Sequence, residues 1–247
     1  MADYLETQTG RRLAYHKTEG RGPGVVFLGG FMSDMTGTKA VYLEDWTRRH
    51  GRAFLRFDYS GHGESSGKFA DGCIGDWAED ALEAVTHLTE GSQILVGSSM
   101  GGWIALLLAR RIPERVAGLV GIAAAPDFTE DSMWPGLSDA QRQEISVKGQ
   151  TRVRNAYDDT PFMLTRRLFE DGRNQLVLRN PLELPFPVRL LQGTADESVA
   201  TAVPLRLIDH ATGPDMHLTL VKDVDHRFST PDCLALISAA IAGIGKA

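Results

Sequence analysis

Short apolar runs alternate with helix-like stretches along most of the chain. Runs of about four to eight apolar or small residues have the length of buried strands, and they lie at residues 25–28, 52–57, 93–97, 116–123, 187–192 and 217–221. Helical spacing of apolar residues fills the intervals, at residues 40–49, 76–88, 102–111, 199–210 and 233–244. The alternating residues 4–8 and 12–16 predict an opening β-hairpin. Because parallel strands are joined by helical crossovers and buried on both faces, the pattern predicts an α/β fold with a mostly parallel central sheet flanked by helices.

Residues 127–180 depart from that alternation. They are mixed, charged and aromatic, with weak helical periodicity and no strand-like run. We therefore expect residues 1–126 and 181–247 to form the α/β core. Residues 127–180 are expected to be a helical cap inserted over the end of the sheet.

Length and composition are those of one globular domain. A chain of 247 residues can bury a sizeable core, and its formal net charge of −6 argues against a nucleic-acid partner, which would require a basic surface. Cys73 and Cys233 are too few for a disulfide framework or a metal site, so we expect two reduced thiols. The polar residues 1–17 hold no secretory signal and no apolar run reaches membrane-spanning length, so we expect a cytoplasmic protein without a membrane span.

The strand predicted at 93–97 leads into the motif Gly97-Ser98-Ser99-Met100-Gly101, which fits G-x-S-x-G and is followed by a predicted helix. A nucleophile elbow requires this strand–turn–helix setting, because the serine must stand exposed on a sharp turn above the sheet. Any glycine-rich turn can match the motif by chance, and Ser98 is a rival nucleophile. The frame with glycine on both sides selects Ser99.

A serine hydroxyl needs a base, and in folds with this elbow the acid and then the histidine follow the serine in the chain. Of the downstream histidines, His210 ends a predicted helix and His217 begins a predicted strand, whereas His226 lies in a polar loop after the last strand. We therefore predict His226 as the base. A solvated loop histidine is the alternative interpretation.

Asp196 is the predicted acid, since it follows the strand at 187–192 and functional side chains of an open parallel sheet project from strand ends. Its task would be to orient the imidazole and stabilise the imidazolium. The rival carboxylates are Glu197, Asp127, Asp223 and Asp225.

Two backbone N–H groups are candidates for the oxyanion hole. One belongs to Met100 at the start of the helix, and the other to Phe31, in the loop that follows the first parallel strand. His62 lies in a turn-rich segment, residues 58–65, that we interpret as a supporting loop. Such chemistry requires neither a metal nor a cofactor, and we expect none.

The predicted cap offers apolar side chains that could line an acyl pocket: Met133, Trp134, Phe162 and Met163, with Leu164 beside them. The alternative is that they only attach the cap to the sheet. Four arginines of the same segment could favour an anionic substrate, or could form a solvated helix face: Arg152, Arg154, Arg166 and Arg167.

Taken together, these motifs resemble the α/β-hydrolase superfamily, and within it the branch of mitochondrial acyl-protein thioesterases and mycophenolic acid acyl-glucuronide esterases. The strings that carry the resemblance lie at residues 31–40, 56–61, 93–103, 189–193 and 225–227. The resemblance implies a triad of Ser99, Asp196 and His226, and hydrolysis of a small ester or thioester or of an acylated protein. Since no organelle-targeting extension is visible, we expect a bacterial relative.

Other functions remain open. The same triad could serve a C–C bond hydrolase or another acyl-transfer enzyme. A hydrolase-fold protein could also bind a ligand without turning it over, although such a receptor has no need of nucleophile, base and acid together.

Overall fold

The computed structural model describes residues 1–154 and 161–244, and its architecture confirms the α/β prediction. The strands are β1 (Asp3–Glu6), β2 (Arg12–Thr18), β3 (Arg21–Leu28), β4 (Arg52–Phe57), β5 (Gln93–Ser98), β6 (Val116–Ile122), β7 (Gln150–Val153), β8 (Phe162–Thr165), β9 (Leu182–Glu183), β10 (Val188–Gly193), β11 (Ala211–Thr212) and β12 (Met216–Val221). The α-helices are α1 (Thr38–Arg49), α2 (Ile74–Leu88), α3 (Met100–Arg111), α4 (Trp134–Gly136), α5 (Asp139–Lys148), α6 (Arg166–Asn174), α7 (Ala202–His210) and α8 (Pro231–Ile244).

Eight strands form the central sheet, in the order β1-β2-β4-β3-β5-β6-β10-β12. The predicted hairpin β1–β2 is antiparallel, as is the pair β2–β4, and the remaining neighbours are parallel. The carboxyl ends of β3, β5, β10 and β12 therefore meet at one edge of the sheet. That edge is where the loops carrying the predicted site residues emerge.

Both faces of the sheet are buried. Along β3, Val26 and Leu28 join an apolar cluster with α2 and α3, whereas Val25 and Phe27 join another with α1 and α8. Successive side chains of a strand point to opposite faces, so a strand covered on both sides must be apolar at every position. This is why its sequence shows a continuous run rather than an alternation.

The expectation of no strand between residues 127 and 180 was wrong. Among the described residues of that segment, β7 and β8 pair antiparallel in a small sheet, which stands beside α4, α5, α6 and a π-helical turn, Thr129–Met133. Each strand has only four residues, too few for an alternation to be recognised against the mixed composition. The boundaries at 126/127 and 180/181 remain a prediction.

Within the described ranges no helix is long and apolar enough to cross a membrane. Cys73 and Cys233 are both buried free thiols.

Asp127 holds residues 177–179 against the start of the segment 127–180, which we expect to be an insertion and call the inserted segment. Its buried carboxylate accepts hydrogen bonds from the amides of Val177 at 2.8 Å and Leu178 at 3.0 Å. Arg179 adds a contact at 3.0 Å. Asp127 also has a φ of 57°, a backbone conformation that Asp and Asn tolerate better than most residues.

We predict that Asp127→Asn lowers the free energy of unfolding by about 1–3 kcal/mol, because an amide group replaces one acceptor oxygen while a buried N–H still faces it. Asn tolerates the same backbone conformation, so the change isolates the lost acceptor. Urea denaturation measures the effect. The matched control is Glu130→Gln, whose partly exposed ion pair with Arg173 should contribute less than about 1 kcal/mol. Equal effects for the two variants would contradict the assigned role of Asp127.

Candidate active site

Ser99 lies at the sharp turn between β5 and α3. Its φ of 54° and ψ of −117° are unusual for a residue with a side chain, and its hydroxyl does not cap α3 although it occupies the N-cap position. The Ser99 N–H donates to the carbonyl of Ile122 at 2.9 Å, which ties the turn to β6. Ser99 is half-buried, whereas the rival Ser98 is buried as the last residue of β5.

Two glycines allow the turn to form. A Cβ on Gly101 would overlap the carbonyl oxygen of Leu28 at the end of β3, and a Cβ on Gly97 would overlap the backbone of Gly101. Close approach of α3 to both strands thus requires glycine at both positions. This is the strand–turn–helix setting that the sequence motif predicts.

His226 and Asp196 form a hydrogen-bonded pair. The Nδ1 of His226 lies 2.8 Å from Oδ2 of Asp196, and the Asp196 carboxylate is fully buried. Its Oδ1 accepts from the amides of Ser198 and Val199, both at 2.8 Å. Burial alone would raise the pKa of Asp196, but the hydrogen bonds from His226 and Val199 outweigh burial and hold that pKa below its usual value. The carboxylate is therefore charged at neutral pH and can orient the imidazole.

The loops that carry this pair are joined to each other. The amide of Ala195 donates to the carbonyl of Val224 at 3.0 Å, and the amide of Asp223 donates to Oγ1 of Thr194 at 2.9 Å. A Cβ on Gly193 would overlap the Val224 carbonyl, so the loops after β10 and β12 lie in direct backbone contact. Their relative position is set by the backbone and does not depend on the His226–Asp196 hydrogen bond alone.

No hydrogen bond joins Ser99 Oγ to His226 within the part of the chain that the structure describes. Catalytic hydrogen bonds are often long in a ligand-free enzyme and tighten once substrate binds. The structure thus joins His226 to Asp196 and places Ser99 at the same edge of the sheet, two strands away from β10.

The rival histidines and Asp127 make contacts elsewhere in the structure. His210 contacts the carbonyl of Asn180 at 2.8 Å, and His217 pairs with Asp215 at 3.1 Å. Asp127 binds the chain after α6, and Glu197 is exposed. His62 is buried in an aromatic cluster, with its ring 5.2 Å from that of Phe69.

The loop after β3 lies directly against the serine. An ideal Cβ on Gly30 would be 3.5 Å from the Cβ of Ser99, and the next amide is that of Phe31. The Ser33 hydroxyl and amide both donate to the Gly30 carbonyl, at 2.8 and 3.2 Å, so the loop turns tightly at this point. Met100, the other predicted donor, is the first residue of α3, where helix amides have no partner within the helix.

The Phe31 ring is the centre of an aromatic cluster that joins the core to the inserted segment. Ring centroids of Phe69 and Trp77 lie 4.8 and 5.9 Å away on the core side. Phe128 and Phe162 approach to 5.7 and 5.9 Å from the other side. Among the predicted pocket residues, Phe162 therefore reaches the loop beside Ser99.

Trp134 has a different environment. Its ring packs edge-on against Phe169 at 5.0 Å, and the Arg173 guanidinium lies over it at 5.0 Å. Both partners belong to α6, which favours attachment within the inserted segment over lining of a pocket. Met133 and Met163 are half-buried, and Met133 packs against the apolar cluster that contains α2 and α3.

Two of the four arginines considered for an anionic substrate serve internal contacts. Arg167 pairs with Asp76, and Arg166 donates to the carbonyl of Ile145. These contacts connect α6 to α2 and to α5.

Sequence reasoning missed Gln192, whose Nε2 donates to Asp196 Oδ2 at 2.9 Å and to the Val199 carbonyl at 2.9 Å. Gln192 is fully buried in β10. The available signal was a polar residue at the end of an otherwise apolar run, since buried polar side chains are retained where they have hydrogen-bond partners.

The fold and the elbow are those of the α/β-hydrolases, and the chain belongs to that family: the family model described as "alpha/beta hydrolase fold" matches residues 29–195. The mitochondrial palmitoyl-protein thioesterase ABHD10 of Rattus norvegicus is 37% identical over 227 residues, covering 91% of this chain and 76% of the relative. A putative hydrolase from Agrobacterium vitis S4 superposes with a TM-score of 0.93 at 40% identity, covering 99% of this chain and 97% of that one. The mouse α/β-hydrolase domain-containing protein 10 gives 0.91 at 34% identity, with coverages of 99% and 98%.

We predict that Gly101→Ala lowers the free energy of unfolding by at least about 2 kcal/mol, because its Cβ meets fixed backbone rather than a movable side chain. The matched control is Gly243→Ala in α8, where a Cβ meets nothing within 4 Å. That control should stabilise by about 0.5–1 kcal/mol through helix propensity. Urea denaturation compares them, and a Gly101→Ala variant as stable as wild type would refute the close approach of α3 to β3.

Proposed function

We propose that the protein is a serine hydrolase that cleaves carboxylic esters or thioesters through an acyl-enzyme on Ser99. The observation that carries the proposal is the buried Asp196 carboxylate hydrogen-bonded to His226 at 2.8 Å, at the same edge of the sheet as a serine on a strained strand–helix turn. This constellation suits acyl transfer by a hydroxyl nucleophile.

In the proposed mechanism, His226 Nε2 takes the proton of Ser99 Oγ as that oxygen attacks the carbonyl carbon. Asp196 stabilises the resulting imidazolium through Nδ1. The N–H groups of Phe31 and Met100 stabilise the oxyanion of the tetrahedral intermediate. His226 then gives its proton to the leaving alkoxide or thiolate, which departs and leaves the acyl-enzyme.

Hydrolysis of the acyl-enzyme repeats the sequence with water. His226 removes a proton from the water as its oxygen attacks the acyl carbonyl, and the intermediate collapses to release the acid and restore Ser99. The scheme needs no metal or cofactor.

The name of the rat relative favours a fatty-acyl thioester as substrate, and 37% identity over most of the chain supports that choice. Acyl glucuronides are the second candidate for the same site. We further propose that residues 127–180 act as the cap over this site, and that the protein works in the cytoplasm. A C–C bond hydrolase with the same triad, or a binding protein without turnover, would be the conclusion if no ester were cleaved.

We predict that p-nitrophenyl esters from acetate to palmitate are hydrolysed, and that Ser99→Ala lowers kcat/KM by at least about a thousandfold, because no other hydroxyl can be acylated. The matched control is Ser98→Ala, which should stay close to wild type. Full activity of Ser99→Ala, or loss of activity only in Ser98→Ala, would overturn the assignment.

We predict that Phe162→Ala shifts the preferred acyl chain to a longer one by about two methylenes, since the vacated space can bury them at about 0.8 kcal/mol each. The same ester series gives the chain-length profile. Trp134→Ala is the matched control: it should lower stability and leave the preferred length unchanged. A chain-length profile of Phe162→Ala identical to that of wild type would show that Phe162 does not line the acyl pocket.

A further inference from the structure

The loop that carries His226 is held from a distant part of the chain by Lys39. The ammonium group of Lys39, in the first turn of α1, donates to the carbonyl oxygen of Arg227 at 2.6 Å. The two residues are 188 positions apart in sequence. The carbonyl belongs to the residue directly after the proposed base, so the bond acts on the same short stretch of backbone.

This position is unfavourable for a lysine on local grounds. The positive end of a helix dipole repels a cation in the first turn, and α1 has no acidic residue there to offset it. The side chain is also half-buried, which costs desolvation of the ammonium group. Because neither the helix position nor the burial favours a lysine here, we expect Lys39 to be stabilised by a contact outside α1.

Two other hydrogen bonds of the His226 loop, close to Arg227, are longer than the bond from Lys39. The Ser229 hydroxyl donates to the Arg227 carbonyl at 3.2 Å, and the amide of Phe228 donates to Asp225 at a long 3.4 Å. Phe228 is buried with a φ of 49°, so its ring is anchored while its backbone is strained. On the opposite side, the imidazole is held by Asp196. The bond from Lys39 is shorter than these two and is charge-assisted.

We propose that Lys39 is a positioning residue for His226: its hydrogen bond to the Arg227 carbonyl fixes the base loop in the orientation that lets the imidazole reach Ser99. This inference rests on the proposed function and adds to it a residue that acts through the backbone of the His226 loop. Orientation matters because a displacement of about 1 Å at a catalytic group can cost on the order of a hundredfold in rate.

The charge on Lys39 gives the inference a pH dependence. Burial lowers the pKa of Lys39 to about 8; Asp225 opposes the shift, Arg227 adds to it and the Cys233 thiol on α8 opposes it weakly. Below that pKa the ammonium group makes a charge-assisted bond and balances Asp225. Above it the neutral amine donates a weaker bond, so kcat should fall as the pH rises through about 8.

The positioning role of Lys39 is tested by measuring kcat for p-nitrophenyl acetate between pH 6.5 and 9.5 for wild type and two Lys39 variants. Each rate is corrected for spontaneous hydrolysis of the ester. Wild type should show an alkaline decline in kcat. Lys39→Met should lose about tenfold in kcat at pH 7 with KM little changed, and should lack the decline. Lys39→Arg should keep most of the activity and also lack the decline, because a guanidinium stays charged throughout this range.

Lys17→Met is the matched control, since the Lys17 ammonium pairs with the exposed Glu19; it should reproduce the wild-type profile. Thermal unfolding checks that each variant is folded, and if Lys39→Met does not fold, the wild-type and Lys39→Arg profiles decide. A wild-type profile without an alkaline decline, a decline unchanged in Lys39→Arg, or a folded Lys39→Met variant with wild-type kcat would each overturn the proposal. Ser99→Ala in the same assay separates the two claims, because activity that survives that change refutes the proposed function itself.

Discussion

A strand that turns directly into a helix at Ser99 forces the backbone into a conformation that side-chain-bearing residues rarely adopt. Such strain costs on the order of 1–3 kcal/mol and persists only where the surroundings over-determine it. Here the Ser99 amide binds the Ile122 carbonyl, and the Ser99 carbonyl accepts from Gly102 and Ala125 at 2.9 and 3.1 Å. The amide and the carbonyl of Ser99 are thus both hydrogen-bonded, while its hydroxyl makes no cap hydrogen bond to α3.

The His226–Asp196 pair depends on the hydrogen bonds that the Asp196 carboxylate accepts. Asp196 accepts from two backbone amides, from Gln192 and from His226. A buried carboxylate without these partners would be protonated or expelled towards water. Because the two amides and the Gln192 side chain are supplied by β10 and the loop after it, the scaffold itself stabilises the charge of Asp196. The Lys39 ammonium group binds the same loop one residue after His226, through the Arg227 carbonyl.

The sequence predicts the elements that lie in continuous apolar runs. The run at 52–57 coincides with β4, and the glycine frame of the elbow predicts the turn at Ser99, since both signals are local. The short strands β7 and β8 escape prediction because they are stabilised by pairing with each other rather than by their own composition. The hydrogen bond from Lys39 to Arg227 joins residues 188 positions apart and produces no sequence pattern, so it can be found only in the folded structure.

The aromatic cluster around Phe31 connects residues of the segment 127–180 to the loop after β3, which lies against Ser99. The proposed mechanism requires Ser99 to be the nucleophile. The most direct measurement is labelling with a fluorophosphonate probe, followed by mass spectrometry of the intact protein and its peptides. The account predicts one adduct per chain, on Ser99. An adduct on Ser98 or on any other residue, or no adduct on the folded protein, would contradict it.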